Sequence, residues 1–397
     1  MTMHSDDRGR AEGASAARGE DGTGHGEGGH ATGRARLDAL TDVPGLRVGH
    51  ATLTGGGRLT GTTVVLAPEG GAVGAVDVRG GGPGTRETDA LDPRNVVERI
   101  DAVVLTGGSA YGLHSAAGVM AWLEEQRRGV RVGLDPAQVV PVVPAACCFD
   151  LGRGGDFRAR PDAATGRTAV EAAAATEAGA PVAMGSVGAG TGAVIGGMKG
   201  GVGTASTVLA SGVTVGALVV ANAAGSAVDP VTGALYGESF GGRVRYPDTA
   251  VHEAARRRLA EAAEGAPPPM NTTLAVVATD AALTRAQAQK LAGAGHDGIA
   301  RAVRPSHLMH DGDTVFVLAT GARPVTGGAG RGPSDPAPDD GAAGAAALAA
   351  AVAARNEILS VGADLVTRAI VAAVRAAESV SGPGGTFPSY RELYESR

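Results

Sequence analysis

Aromatic side chains are scarce in this chain: Phe, Trp and Tyr make up 3% of its 397 residues, although 43% are hydrophobic. Any core must therefore be built from Ala, Val, Leu and Ile, with 65 glycines allowing close packing and tight turns. Cysteine is scarcer still. Cys147 and Cys148 are the only two, and as neighbours they supply neither a disulfide framework nor a zinc site. They read as small core residues in a reducing compartment. No run approaches the roughly 18 consecutive apolar residues of a membrane-spanning helix. Excess positive charge is also missing, since the formal net charge is −6, so no nucleic-acid or membrane partner is expected. The cluster Arg256-Arg257-Arg258 falls on a helical pattern and reads as a solvated face. Residues 1–36 are rich in Gly, Ser and charge and contain no hydrophobic secretory stretch. They read as a disordered tail without a signal peptide, which places the protein in the cytoplasm.

The rest of the chain alternates short β-branched runs with Ala-rich helical patterns. Strands are predicted at "TGTTVVLAP", "GAVGAVDVRG", "IDAVVLTGG", "VTVGALVVAN", "TTLAVVATD" and "DTVFVLATG". Helices are predicted over Leu113–Arg127, Ala169–Ala178, Ala250–Ala263, Thr284–Val303 and Ala345–Glu378. Flexible connectors are expected at Gly265–Met270 and across 323–344. Interleaving of this kind points to a layered α/β or α+β architecture and not to a bundle or a β-sandwich.

Three stretches offer chemistry. The turn "VVLTGGSAYGLHSAAG" passes from strand through glycines to helix, an order that can cradle an anion on the helix N-terminus, but it has neither G-x-G-x-x-G nor the Lys-Ser/Thr of a P-loop. A tightly packed structural turn explains it equally well. In "EGAPPPMNTTLAVVATD" a proline-rich connector enters a buried strand through Asn271-Thr272. That junction is either a plain loop-to-strand transition or a site of self-cleavage, in which the Thr272 hydroxyl attacks the Asn271 carbonyl. Cleavage would leave Thr272 with its hydroxyl and a free α-amine on one residue, the nucleophile and base of an N-terminal-threonine enzyme. The amine titrates near 7.7–8.0 as a reference value, so part of it is neutral at physiological pH. In "MHDGDTVFVLATG", Asp311 and Asp313 share a face if the strand already runs through them; Asp-Gly before a strand is also an ordinary turn. His296 and His307 sit in no recognisable hydrolase or metal pattern, and no metal or cofactor is expected.

Taken together, "LTGGSAYGL", "FDLGRGG", "GSVGAGTGAVIGG", "NTTLAVVATD" and "HDGDTVFVLATG" resemble, in the same order, the self-processing DmpA-type peptidases. These comprise L-aminopeptidase/D-esterases, β-peptidyl aminopeptidases and nylon-oligomer hydrolases, and the resemblance runs from about residue 38 to the C-terminus. It implies an α+β fold, a four-layer αββα sandwich like that of the N-terminal-nucleophile hydrolases. It also implies one catalytic domain cut into an α chain, 37–271, and a β chain, 272–397, assembled as homo-oligomers of αβ units. Thr272 then matches the nucleophile and Asn271 the residue before the cut. Asp311 and Asp313 match the acidic pair of the nylon-hydrolase branch, and Asn222 the asparagine whose amide would meet the oxyanion. Two positions depart from the pattern. Phe149 replaces a tyrosine found in some members, and the nearest lysine to the "GAGTGA" stretch is Lys199, two residues late. The function implied is hydrolysis of peptide or other amide bonds through an acyl-enzyme. An acyltransferase of the ornithine acetyltransferase type shares that intermediate, and a non-catalytic anion-binding protein is the reading from another class.

Overall fold

The computed structural model describes residues 36–264, 270–325 and 341–395. Most of the expected tail, residues 265–269 of the first connector and 326–340 of the second lie outside them. Two five-stranded sheets organise the chain. In the first, β1 (Arg47–Gly55), β2 (Arg58–Leu66), β4 (Thr85–Arg86), β5 (Ala102–Thr106) and β6 (Ala145–Cys147) lie in the order β1-β2-β5-β6-β4. In the second, β3 (Val73–Val78), β7 (Gly201–Val208), β8 (Thr214–Ala221), β9 (Leu274–Ala281) and β10 (Thr314–Arg323) lie in the order β7-β8-β9-β10-β3.

The period-2 pattern of these strands decides the layering. In β8, Leu218 and Val220 point toward the first sheet, meeting a cluster that includes Val65, Val103 and Leu105. Ala217, Val219 and Ala221, one residue out of phase, join the opposite cluster. There they meet side chains of α4 (Arg285–Ala302) and α5 (Ala342–Ala376), among them Leu291, Ile299, Val366 and Ile370. On the far side Val64, Leu66 and Val104 pack against α1 (Ser115–Glu125) and α2 (Ala163–Ala175) through Val119, Leu123, Ala169 and Val170. The result is helix, sheet, sheet, helix: a four-layer αββα sandwich. A further helix, α3 (Thr249–Ala263), carries Arg256, Arg257 and Arg258 on its exposed side.

The six expected strands are all present, and α4 starts where Thr284 accepts from the Gln287 amide at 3.3 Å while the Gln287 side chain accepts from Thr284 N at 3.0 Å. Three helix starts differ by two residues or more, α5 beginning at Ala342, three residues before the expected Ala345. Helix α2 begins at Ala163, six residues before the expected start, because Asp162 caps it by accepting from Thr165 N at 2.9 Å. The helix expected from Leu113 begins at Ser115, after a separate helical turn at Ser109–Gly112. Among the described residues no helix is long and apolar enough to cross a membrane.

Candidate active site

Three neighbouring strand ends of the second sheet converge on Thr272. Antiparallel β8 and β9 pair Val220 with Leu274, and parallel β9 and β10 pair Leu274 with Thr314. The residues just outside these strands are Asn222 after β8, Asn271-Thr272-Thr273 before β9 and Asp311-Gly312-Asp313 before β10. An isolated bridge between Asn271 and Asp311 extends the pairing to the junction itself. Residues 149–153, from the loop after β6, close the site from the first sheet.

Thr272 is 5% exposed. Its hydroxyl donates to the Asn271 carbonyl oxygen at 2.6 Å and accepts from Gly312 N at 3.1 Å. Its backbone N–H donates to the Asn222 carbonyl at 2.9 Å. The Asn222 amide is fixed in one orientation, since its Oδ1 accepts from Arg153 Nη1 at 2.7 Å and from Val194 N at 2.9 Å. Its Nδ2 is thereby turned toward Thr272 and makes only long contacts, to the Phe149 carbonyl at 3.4 Å and the Thr272 carbonyl at 3.5 Å. A donor so weakly engaged is available to an oxyanion. The position that bears a tyrosine in some relatives thus contributes its backbone oxygen.

The two aspartates separate in role. β10 begins at Thr314, so neither lies within the strand. Asp313 is committed: Oδ1 accepts from Thr273 N at 2.7 Å, and Oδ2 accepts from His307 N at 3.1 Å and lies 2.8 Å from His307 Nδ1. Asp311 accepts from Leu308 N at 3.1 Å and lies close to the Ala224 backbone N–H, while its buried Oδ1 has no donor in full hydrogen-bond geometry. Burial, and secondarily the charge of Asp313, raises the Asp311 pKa. A half-satisfied carboxylate of raised pKa is suited to taking a proton. His296 packs edge-on against His307 with ring centroids 4.9 Å apart, and its Nε2 lies 3.0 Å from the Asp77 carbonyl. Burial pushes its pKa down to about 4.

Lys199 is fully buried and donates to the carbonyls of Gly190 at 2.9 Å and Gly200 at 2.7 Å, with no hydrogen bond to Thr272. Burial, reinforced by the Arg153 charge and opposed by Asp150, lowers its pKa from 10.5 to about 7. Between those values the unfolded chain binds more protons than the folded one, so this group makes stability rise with pH. Melting temperatures of Lys199→Met and wild type at pH 6, 8 and 10 should show wild type gaining on the variant as pH increases. Parallel curves would mean that the lysine keeps its proton throughout.

Sequence reasoning missed Gly312, Asp150 and Arg153. A Cβ on Gly312 would stand 2.9 Å from Thr272 Oγ1 and 3.0 Å from the Gly82 carbonyl. Gly312→Ala should therefore displace the hydroxyl and cut kcat by about 100-fold, with a melting temperature within a few degrees of wild type. Asp150 fills the glycine turn that was a candidate anion cradle. Gly108 N donates to Asp150 Oδ1 at 2.7 Å, and a Cβ on Gly107 would fall 2.0 Å from Oδ2. The turn is packed around a protein carboxylate and leaves no place for a phosphate.

A family model described as peptidase family S58 matches residues 38–387. The chain belongs to this family. An uncharacterized aminopeptidase of Mycobacterium tuberculosis is 47% identical to it over 367 residues, 90% of this chain and 98% of that one. A 6-aminohexanoate-oligomer endohydrolase of Kocuria is 32% identical over 315 residues, 76% of this chain and 80% of the relative. Among solved structures, a β-aminopeptidase of Burkholderia superposes with a TM-score of 0.62 at 26% identity, over 89% of this chain and 91% of its own. An L-aminopeptidase D-Ala-esterase/amidase of Ochrobactrum anthropi, at 23% identity and a TM-score of 0.60 over the same shares, has the same N-terminal-nucleophile hydrolase fold. This S58 peptidase is accordingly a hydrolase of amide bonds. A cavity of 1160 Å³ bordered by Arg47, Trp122 and Arg127 is lined by none of the residues around Thr272. The buried geometry at Thr272, and not cavity size, marks the candidate site.

Proposed function

We propose that the protein is a self-cleaving N-terminal-threonine hydrolase that opens its own Asn271–Thr272 bond and then acts on small peptides or amides, as an aminopeptidase or amidase. The observation that carries this reading is the Thr272 hydroxyl, 2.6 Å from the carbonyl oxygen of the preceding residue and fed by the Gly312 amide. In the uncut chain the Thr272 nitrogen is an amide and cannot act as base. Asp311, with its open Oδ1 and raised pKa, is the group we assign to accept the hydroxyl proton. Oγ1 bonds to the Asn271 carbonyl carbon, the C–N bond to Thr272 breaks, and the proton passes to the departing nitrogen. Water then splits the resulting ester into an Asn271 carboxylate and a free Thr272 hydroxyl.

After the cut, the Thr272 α-amine lies beside its own hydroxyl and relays the proton in each turnover. The Asn222 amide stabilises the oxyanion. An acyl-enzyme forms as the substrate amine leaves, and water resolves it. Relatives named aminopeptidase and oligomer endohydrolase support amide substrates; the reading also includes an assembly of αβ units. Intact mass and N-terminal sequencing of the purified protein test the first step. Aminoacyl anilides, assayed with and without a nucleophilic amine, test the second. Two fragments and release of free acid support the reading. A chain that stays whole would overturn it, and product formation only with the amine would make the protein a transferase.

A further inference from the structure

The "FDLGRGG" segment places one side chain against both halves of the reaction. Arg153 is held by the Gly192 carbonyl, which accepts from Nη1 at 2.7 Å, and the same Nη1 fixes Asn222 Oδ1. Its other arm holds the acyl side of the cut: Nη2 donates to the side-chain Oδ1 of Asn271 and, at 3.3 Å, to the Met270 carbonyl. The guanidinium therefore grips the acyl residue of the bond that Thr272 attacks, at the oxygen one methylene beyond the α-carbon.

We propose that Arg153 determines acyl-side specificity, favouring substrates whose acyl unit carries a carbonyl or carboxylate oxygen where Asn271 carries its amide oxygen. The inference rests on the Thr272 reading above and names the substrate class of that site. Oγ1, the Gly312 amide and the Asn222 amide are fixed, so every acyl carbon must come to the place the Asn271 carbonyl carbon holds in self-cleavage. A substituent on that acyl unit then projects toward Nη2. Once Asn271 withdraws, Nη2 loses both its acceptors. An apolar side chain would leave it unpaired beside the desolvated site, whereas an asparaginyl or aspartyl group replaces the lost bond. Leucine is the control, because it nearly matches asparagine in shape and offers no acceptor.

Self-cleavage provides the first test, followed by intact mass in the wild type, Asn271→Leu, Arg153→Met and the double variant. Asn271→Leu should slow the cut by about 10- to 100-fold, the range expected for losing a charge-assisted hydrogen bond. In the Arg153→Met background the same change should alter the rate less than about threefold, as coupled residues do in a double-mutant cycle. An Asn271→Leu chain that cuts as fast as wild type, or an equal slowing in both backgrounds, would overturn the proposal. Should Arg153→Met fold poorly or fail to cut at all, mature wild type decides. Asparaginyl p-nitroanilide should exceed leucyl p-nitroanilide by about 10-fold or more in kcat/KM, and a leucyl preference would sink the idea. A wild-type chain that never cuts removes the threonine reading itself and this inference with it. A wild type that cuts but ignores the Asn271 side chain removes this inference alone.

Discussion

Purified Thr272→Ala should remain one uncut chain and hydrolyse amides at a rate at least about a thousandfold below wild type, while the wild type separates into fragments 1–271 and 272–397. The substitution removes one hydroxyl from a 5% exposed position and leaves the Gly312 N–H without its acceptor. That costs about 1–3 kcal/mol of stability, too little to unfold an ordinary domain. A melting temperature near that of wild type would thus tie the loss to chemistry. Thr272→Ser sharpens the result. Serine keeps the oxygen and the future α-amine but lacks the β-methyl that restricts χ1. It should still cut, more slowly, and yield an active enzyme. If Thr272→Ala cuts itself at the wild-type rate, the hydroxyl is not the nucleophile.

The strands were legible because most carry β-branched and aliphatic residues in runs, and each such run became a strand. The "GVGTASTV" stretch that forms β7 was missed for a physical reason. A Cβ on Gly203 would lie 2.0 Å from the Ala369 carbonyl, so this strand is built of small residues to let α5 approach closely. A pattern of small residues carries no hydrophobic period, and the long-range contact that demands it is invisible in one dimension. The site divides in the same way. Thr272 and Asn271 announce themselves by the abrupt passage from proline-rich connector to buried strand. Asn222 became a candidate through family resemblance alone, since its local sequence offers only a strand end, whereas the spacing of Asp311 and Asp313 raised them as candidates that local sequence could not separate from an ordinary turn. The different commitments of the two aspartates depend on His307 and Leu308, which a folded loop brings to them. Arg153 lies inside the "FDLGRGG" motif, but nothing local gave it a role, because its importance lies in partners 69 and 118 residues away.

Replacing Asn222 is the second change expected to have a large effect, and the choice of substitution decides what it teaches. Asn222→Ala removes the oxyanion donor and should lower kcat by about 100- to 1000-fold, with a smaller change in KM and a slower self-cut. It also strips the acceptor from Arg153 and Val194, so part of the loss could arise from a displaced guanidinium. Asn222→Asp separates the two effects. The carboxylate keeps an oxygen for Arg153 and Val194 and fills the same volume, and the adjacent guanidinium favours its charged form. Its second oxygen then stands where Nδ2 stood, turning a donor into a negative charge facing the developing oxyanion. If Asn222 works by electrostatic stabilisation, Asn222→Asp must be at least as impaired in kcat as Asn222→Ala, despite its better packing. If it works by holding Arg153 and the chain around Val194, the order reverses and Asn222→Asp recovers most of the wild-type rate. The comparison of the two variants thus reads the donor itself, independently of the scaffold that orients it.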